Sequence, residues 1–147
     1  MRSRAPLALM EQLVMVLVFA LAAALCVQAF VLSDRISRRS AEMDFALQEA
    51  QSAAEVLKSV QGDYAQAAAQ WGGTWNGQLW GWSYDADWQR ADGTETPAYH
   101  LLVSPLETET PLLGMAEVTV YRADGEVLSD LSVSWQCPDG EEEPADG

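Results

Sequence analysis

The sequence predicts an α+β protein in which a long N-terminal transmembrane helix continues as an amphipathic helix and packs on a small four-stranded antiparallel sheet. Three observations predict it. Residues 13–32 form a twenty-residue apolar run, LVMVLVFALAAALCVQAFVL, whose one strongly polar member is Gln28. No Gly or Pro interrupts the chain between Leu7 and Gln61, whereas all ten Gly and all six Trp lie at or beyond Gly62. Four runs of alternating apolar and polar residues then follow between 79 and 135.

Charge divides the chain in the same way. The 147 residues hold 22 acids against 8 bases, a formal charge of −14, which excludes a basic nucleic-acid binder. Residues 1–39 carry five arginines against Glu11 and Asp34, whereas residues 40–147 carry twenty acids against Lys58, Arg90 and Arg122. A core drawn from 62–136 alone is small and calls for support from the preceding helix.

Residues 1–12 form a short N-terminal segment with Arg2 and Arg4, and Pro6 suits a first helical turn, where its missing N–H is harmless. Residues 13–32 are long enough, at 1.5 Å per residue, to cross roughly 30 Å of hydrocarbon. A cleaved secretory signal competes for the same residues, with Val27-Gln28-Ala29 as a small-x-small site. Glu11 and the unbroken continuation of the helix favour a retained anchor. Cys26 follows Leu25, which is larger than the residue a lipidation site places there.

Residues 33–61 continue the helix with Ile36, Met43, Leu47, Ala50, Ala54 and Leu57 on one apolar stripe and Arg35, Arg38, Arg39, Glu42, Asp44, Glu49 and Glu55 on other faces. The stripe is expected to cover the sheet; a coiled coil with a partner helix is the other reading. The whole rod measures roughly 80 Å, with Gly62 as its stop.

The head, 62–136, opens with a short helix over 64–70, capped by Asp63 and ended by Gly72-Gly73. Strands are expected at 79–84, 98–104, 115–121 and 127–135. Their apolar faces are Trp80, Trp82 and Tyr84; Tyr99, Leu101 and Val103; Ala116, Val118 and Val120; and Val127, Leu131, Val133 and Trp135. Asp124-Gly125 marks a hairpin between the last two strands, and short links between consecutive strands imply a meander. The acidic tail, 137–147, is expected to be disordered.

The hydrophobic helix with Leu7-Ala8-Leu9-Met10-Glu11-Gln12-Leu13-Val14 near its start, continuing as an amphipathic rod under a small sheet, resembles the type IV pilins and the pseudopilins of type II secretion. The head motifs, from Ala54-Glu-Val-Leu-Lys58 through Tyr84-Asp85-Ala-Asp-Trp88 to Ala116-Glu-Val-Thr-Val-Tyr121, are similar to small Gram-positive pilin-like proteins. The resemblance implies that Glu11 pairs with a neighbouring subunit's amino terminus during assembly. It also implies partners among pilin-like subunits, an assembly platform and the lipid bilayer, a cytoplasmic N-terminus and an extracytoplasmic head at the cell membrane. The charge comparison across the span nearly ties, so orientation rests on the resemblance. The leader boundary departs from the family: Ala5, Pro6 and Leu7 stand where a prepilin has its cleavage glycine, and a cut after Ala5 would make Glu11 the sixth residue rather than the fifth.

No enzymatic chemistry is expected. His100, the one histidine, has neither cysteine near it in sequence, and there is no phosphate-binding glycine motif or spaced Cys/His set. No cofactor, small-molecule substrate or metal is therefore expected. Asp85, Asp87 and Asp92-Gly93 could approach calcium but lack EF-hand spacing, and read as a solvated loop. Five tryptophans lie between 71 and 88. Trp80 and Trp82 read as core, whereas Trp71, Trp75 and Trp88 in loops are candidate partner-binding aromatics. They define a second reading, a membrane-anchored extracytoplasmic recognition module.

Overall fold

The structure, a computed structural model, describes residues 5–91, 93 and 96–137. Arg2, Arg4, Asp92 and the tail past Cys137 lie outside them. Helix α1 runs Ala5–Ser59 without a break, and α2 is Tyr64–Trp71. The strands are β1 Thr74–Trp75, β2 Trp80–Tyr84, β3 Tyr99–Leu106, β4 Leu113–Arg122 and β5 Val127–Gln136. They form an antiparallel sheet in the order β1-β2-β3-β4-β5. The sheet has five strands, not the expected four. The additional one, β1, pairs Thr74 with Gly81 and Trp75 with Trp80; two residues are too few to show alternation in a sequence. The chain packs as two units, Met1–Ala41 and Glu42–Gly147.

In the second unit, α1 ends in a double turn that satisfies its last carbonyls. The Gly62 N–H donates to Leu57 O at 2.9 Å and the Gln61 N–H to Lys58 O at 3.0 Å. This Schellman arrangement puts Gln61 in the left-handed region, φ 52°. Asp63 then caps α2, its carboxylate accepting from Gln66 N at 2.9 Å, as its position before the alanine run predicts.

The core lies between the carboxyl part of α1 and one face of the sheet. Trp80, Tyr84, Tyr99, Leu101, Val103, Ala116, Val118 and Val120 are buried there, in the predicted alternation. The helix contributes Ala46, Ala50, Ala53, Ala54 and Leu57. Ala50, Ala54 and Leu57 were expected; Met43 and Leu47 instead remain 46 % and 43 % exposed. The covering face is thus rotated toward the small residues, four alanines that let the helix approach bulky Trp80, Tyr84 and Tyr99 closely, with Leu57 as the one large side chain it buries.

A second correction falls on β5. Val127 is 57 % exposed and Leu128 is buried, because the register slips between Val120 and Tyr121 and leaves Leu128 as the residue without an opposite number. A bulge inverts the faces of everything on one side of it. The hairpin itself is as predicted: Arg122 N donates to Glu126 O at 2.8 Å, with Gly125 at φ 91°.

Candidate functional site

In the first unit the side chains of α1 are exposed throughout the apolar run, and the helix is long and apolar enough to cross a bilayer. Ala5 and Pro6 form its first turn and Leu7 is 77 % exposed. Glu11 is exposed one helical turn further along and is the one carboxylate between Ala5 and Asp34. At the other end of the run, Asp34 accepts from Arg38 Nε at 3.0 Å, and Arg35 and Arg39 are exposed beside that pair.

In the second unit α1 presents two carboxylates, seven residues apart, to the sheet. Glu49 accepts from the Tyr84 hydroxyl. Glu42 accepts from the Tyr99 hydroxyl at 3.1 Å and from the Arg122 guanidinium, which also reaches Glu126 at 2.6 Å and Asp124 at 3.6 Å. Burial first, and then the Glu49 carboxylate, raise the Tyr84 pKa; burial and then Glu42 raise Tyr99 in the same way. The Glu126 N–H, followed in effect by Arg122, holds Asp124 below the usual carboxylate range. These contacts fix the helix along its axis, a task the alanine contacts alone perform poorly because they are smooth. This corrects the expectation that Glu42 and Glu49 lie on faces away from the covering stripe; the signal that could have found them is their spacing, since seven residues bring a helix back to nearly the same face and Glu42 and Glu49 flank Ala46.

The three candidate aromatics do not meet in one patch. Trp75 stacks on Tyr64 with centroids 4.5 Å apart, and Trp88 stacks on Tyr99 at 4.1 Å and lies 5.9 Å from Phe45. Both pack against the core. Trp88 takes φ 58°, a left-handed conformation that the Asp85 carboxylate supports by accepting from Asp87 N and Gln89 N. Trp71 is 40 % exposed, and Arg90 donates to its carbonyl while lying over the Trp82 ring at 4.5 Å.

The remaining polar features are isolated. His100 Nδ1 lies 2.8 Å from Ser83 Oγ on the sheet's outer face and its ring stacks on Tyr121. Among the described residues no three His, Cys, Asp or Glu side chains converge as a metal set. Asp85 is occupied with its own loop, and Asp92 lies outside the described residues.

The arrangement is that of an α+β protein with one candidate membrane-spanning helix and a five-stranded antiparallel sheet. Compared with known proteins, the chain matches no family model, no curated protein and no solved structure.

Proposed function

We propose that this protein is a non-enzymatic, single-pass, pilin-like membrane protein that serves as a minor or structural subunit of a type IV pilus or secretion pseudopilus. Its N-terminus is cytoplasmic and its head extracytoplasmic. The observation that carries the reading is α1: one unbroken helix supplies an exposed apolar run in the first unit and, in the second, the alanine face and paired carboxylates that cover the sheet. Such a helix gives a subunit both a membrane anchor and a segment for lateral packing. The partners are other pilin-like subunits, an assembly platform and the bilayer.

Glu11 carries the assembly step in this reading. A carboxylate beside hydrocarbon is stable when a cation meets it, and a neighbouring subunit supplies that cation. Leaving it unmatched costs several kcal/mol. Glu11→Leu is therefore expected to reduce in vivo cross-linking to neighbouring pilin-like subunits, through a cysteine placed on the helix, while membrane abundance is unchanged or higher. Equal cross-linking by wild type and Glu11→Leu would remove the assembly role. It would leave the Trp-bearing head as a membrane-anchored recognition module.

A further inference from the structure

We propose that the outer edge of β5 is a docking site for an extended, basic segment of a partner protein, which adds to the sheet as a further strand. The inference concerns the second unit alone and goes beyond the anchoring and assembly roles above. The two edges of the sheet differ. β1 is two residues long, and further along the same side of β2 the Tyr84–Arg90 bridge and Ala91 N, which donates to Ser83 O at 2.9 Å, cover the strand. β5 is ten residues long, and among the described residues no strand pairs beyond it. Proteins ordinarily blunt an edge strand with proline, lysine, a bulge or an inward-pointing charge. Residues 127–136 hold no Pro, Lys or Arg, and their one charge is Asp130. The bulge falls at the hairpin end, so the register from Ser129 to Gln136 is regular.

The outward backbone groups follow from two hydrogen bonds. Cys137 N donates to Leu112 O and Ala123 N to Ala98 O, both at 2.8 Å. In an antiparallel ladder the direction of the backbone groups alternates along each strand. The first bond turns Ser129, Leu131, Val133 and Trp135 toward β4, and the second, by turning the odd residues of β4 toward β3, agrees with it. Asp130, Ser132, Ser134 and Gln136 therefore direct N–H and C=O away from the sheet. An incoming antiparallel strand pairs with these four, and its side chains alternate between the two faces. On the outer face it meets exposed Asp130, with Glu117 of β4 opposite Ser132. Among the described residues neither carboxylate is in an ion pair, so lysine or arginine is the complementary residue there. On the inner face its side chains enter a groove of about 290 Å³ between β5 and α1, lined by buried Ala54 and Val133 and half-buried Leu131, with Gln51, Glu55 and Lys58 at the rim. Small apolar side chains fit that floor. The edge thus selects a segment in which basic and small apolar residues alternate, and the head's twenty acids against three bases over 40–147 favour its approach.

The test titrates a fluorescently labelled octapeptide of alternating Lys and Val with the full chain in non-ionic detergent and follows anisotropy. Saturable binding is expected. The same peptide methylated on the backbone nitrogen of each lysine keeps its charge but loses the donors that face β5, and is expected to bind at least about tenfold more weakly. An octapeptide of alternating Glu and Val is expected to weaken as much. Ser132→Pro removes one outward N–H and no bond to β4, at a site where edge strands accept proline. It is expected to weaken binding by about tenfold, while Ser132→Ala binds as wild type does. Should Ser132→Pro melt earlier than wild type, the methylated peptide on wild type decides. Absence of saturable binding, or equal binding of the plain and methylated peptides, refutes strand addition. A wild-type dimer in sedimentation that Ser132→Pro dissociates, with no peptide bound, assigns the edge to a second copy. Binding that appears only after residues 138–147 are removed assigns it to the chain's own tail. Either result overturns the proposal.

Discussion

Tyr84 and Glu49 show how single side chains connect the helix to the sheet. Each tyrosine on this interface holds its proton more tightly in the folded head than in the unfolded chain. Burial pushes Tyr64 up to about 12, and Tyr84 and Tyr99 are raised by burial and by the Glu49 and Glu42 carboxylates that accept from them. Unfolded tyrosines release their protons near ~10, so above that pH the unfolded chain gives up protons that the native head retains. Stability contributed by these groups is complete below pH ~10 and declines as pH rises through the folded values. A urea-unfolding series from pH 9 to 12 is expected to show the midpoint falling steeply above pH ~10. Tyr84→Phe should make that fall shallower, while lowering stability at neutral pH by about 1–3 kcal/mol because Glu49 loses its donor. A midpoint that stays flat across this range would contradict the buried tyrosine–carboxylate contacts. The partners Glu42 and Glu49 were open to recognition from their spacing, whereas Arg122, eighty residues from Glu42, was not, since only the β3–β4–β5 meander brings the two together.

At the scale of the element, α1 separates what hydropathy reveals from what it conceals. Its existence, its length and the stop at Gly62 follow from the absence of Gly and Pro between Leu7 and Gln61. Which face it buries does not follow, because a stripe counted by large apolar residues selects Met43 and Leu47, whereas the packed face is made of alanines. Alanine is a weak hydrophobic signal but the residue that allows close approach. Likewise, alternation in β3 and β4 reads directly as faces, while the bulge at Val120/Tyr121 breaks it in β5. A pair of substitutions distinguishes the two helix faces. Leu57→Asp places a carboxylate at a fully buried position and is expected to destabilise the head by at least about 3 kcal/mol. Leu47→Asp, on the exposed face, should stay within about 1 kcal/mol of wild type. Thermal melts of the full chain in detergent, followed by tryptophan fluorescence, measure both. Equal losses at the two positions would mean that the sheet sits on the Met43–Leu47 side.

For the whole molecule, two native cysteines report on topology without any engineered probe. Cys26 lies inside the apolar run and is exposed on α1; Cys137 follows β5, is half-buried, and borders a cleft with Thr110, Leu112, Leu113 and Gln136. A polar, membrane-impermeant maleimide reacts with thiolates in water and does not enter hydrocarbon. With the N-terminus cytoplasmic and the head extracytoplasmic, intact cells stripped of their outer layers are expected to give one adduct, at Cys137. Cys26 should stay unmodified until detergent dissolves the bilayer, when a second adduct appears. The reverse orientation protects both thiols until the membrane is permeabilised. Cleavage after Ala29 removes Cys26 altogether, so that a single adduct forms under every condition and the chain's mass falls by that of its first 29 residues. Arginines on both sides of the span leave the charge rule nearly balanced, and the adduct count separates the three topologies that the charge pattern does not.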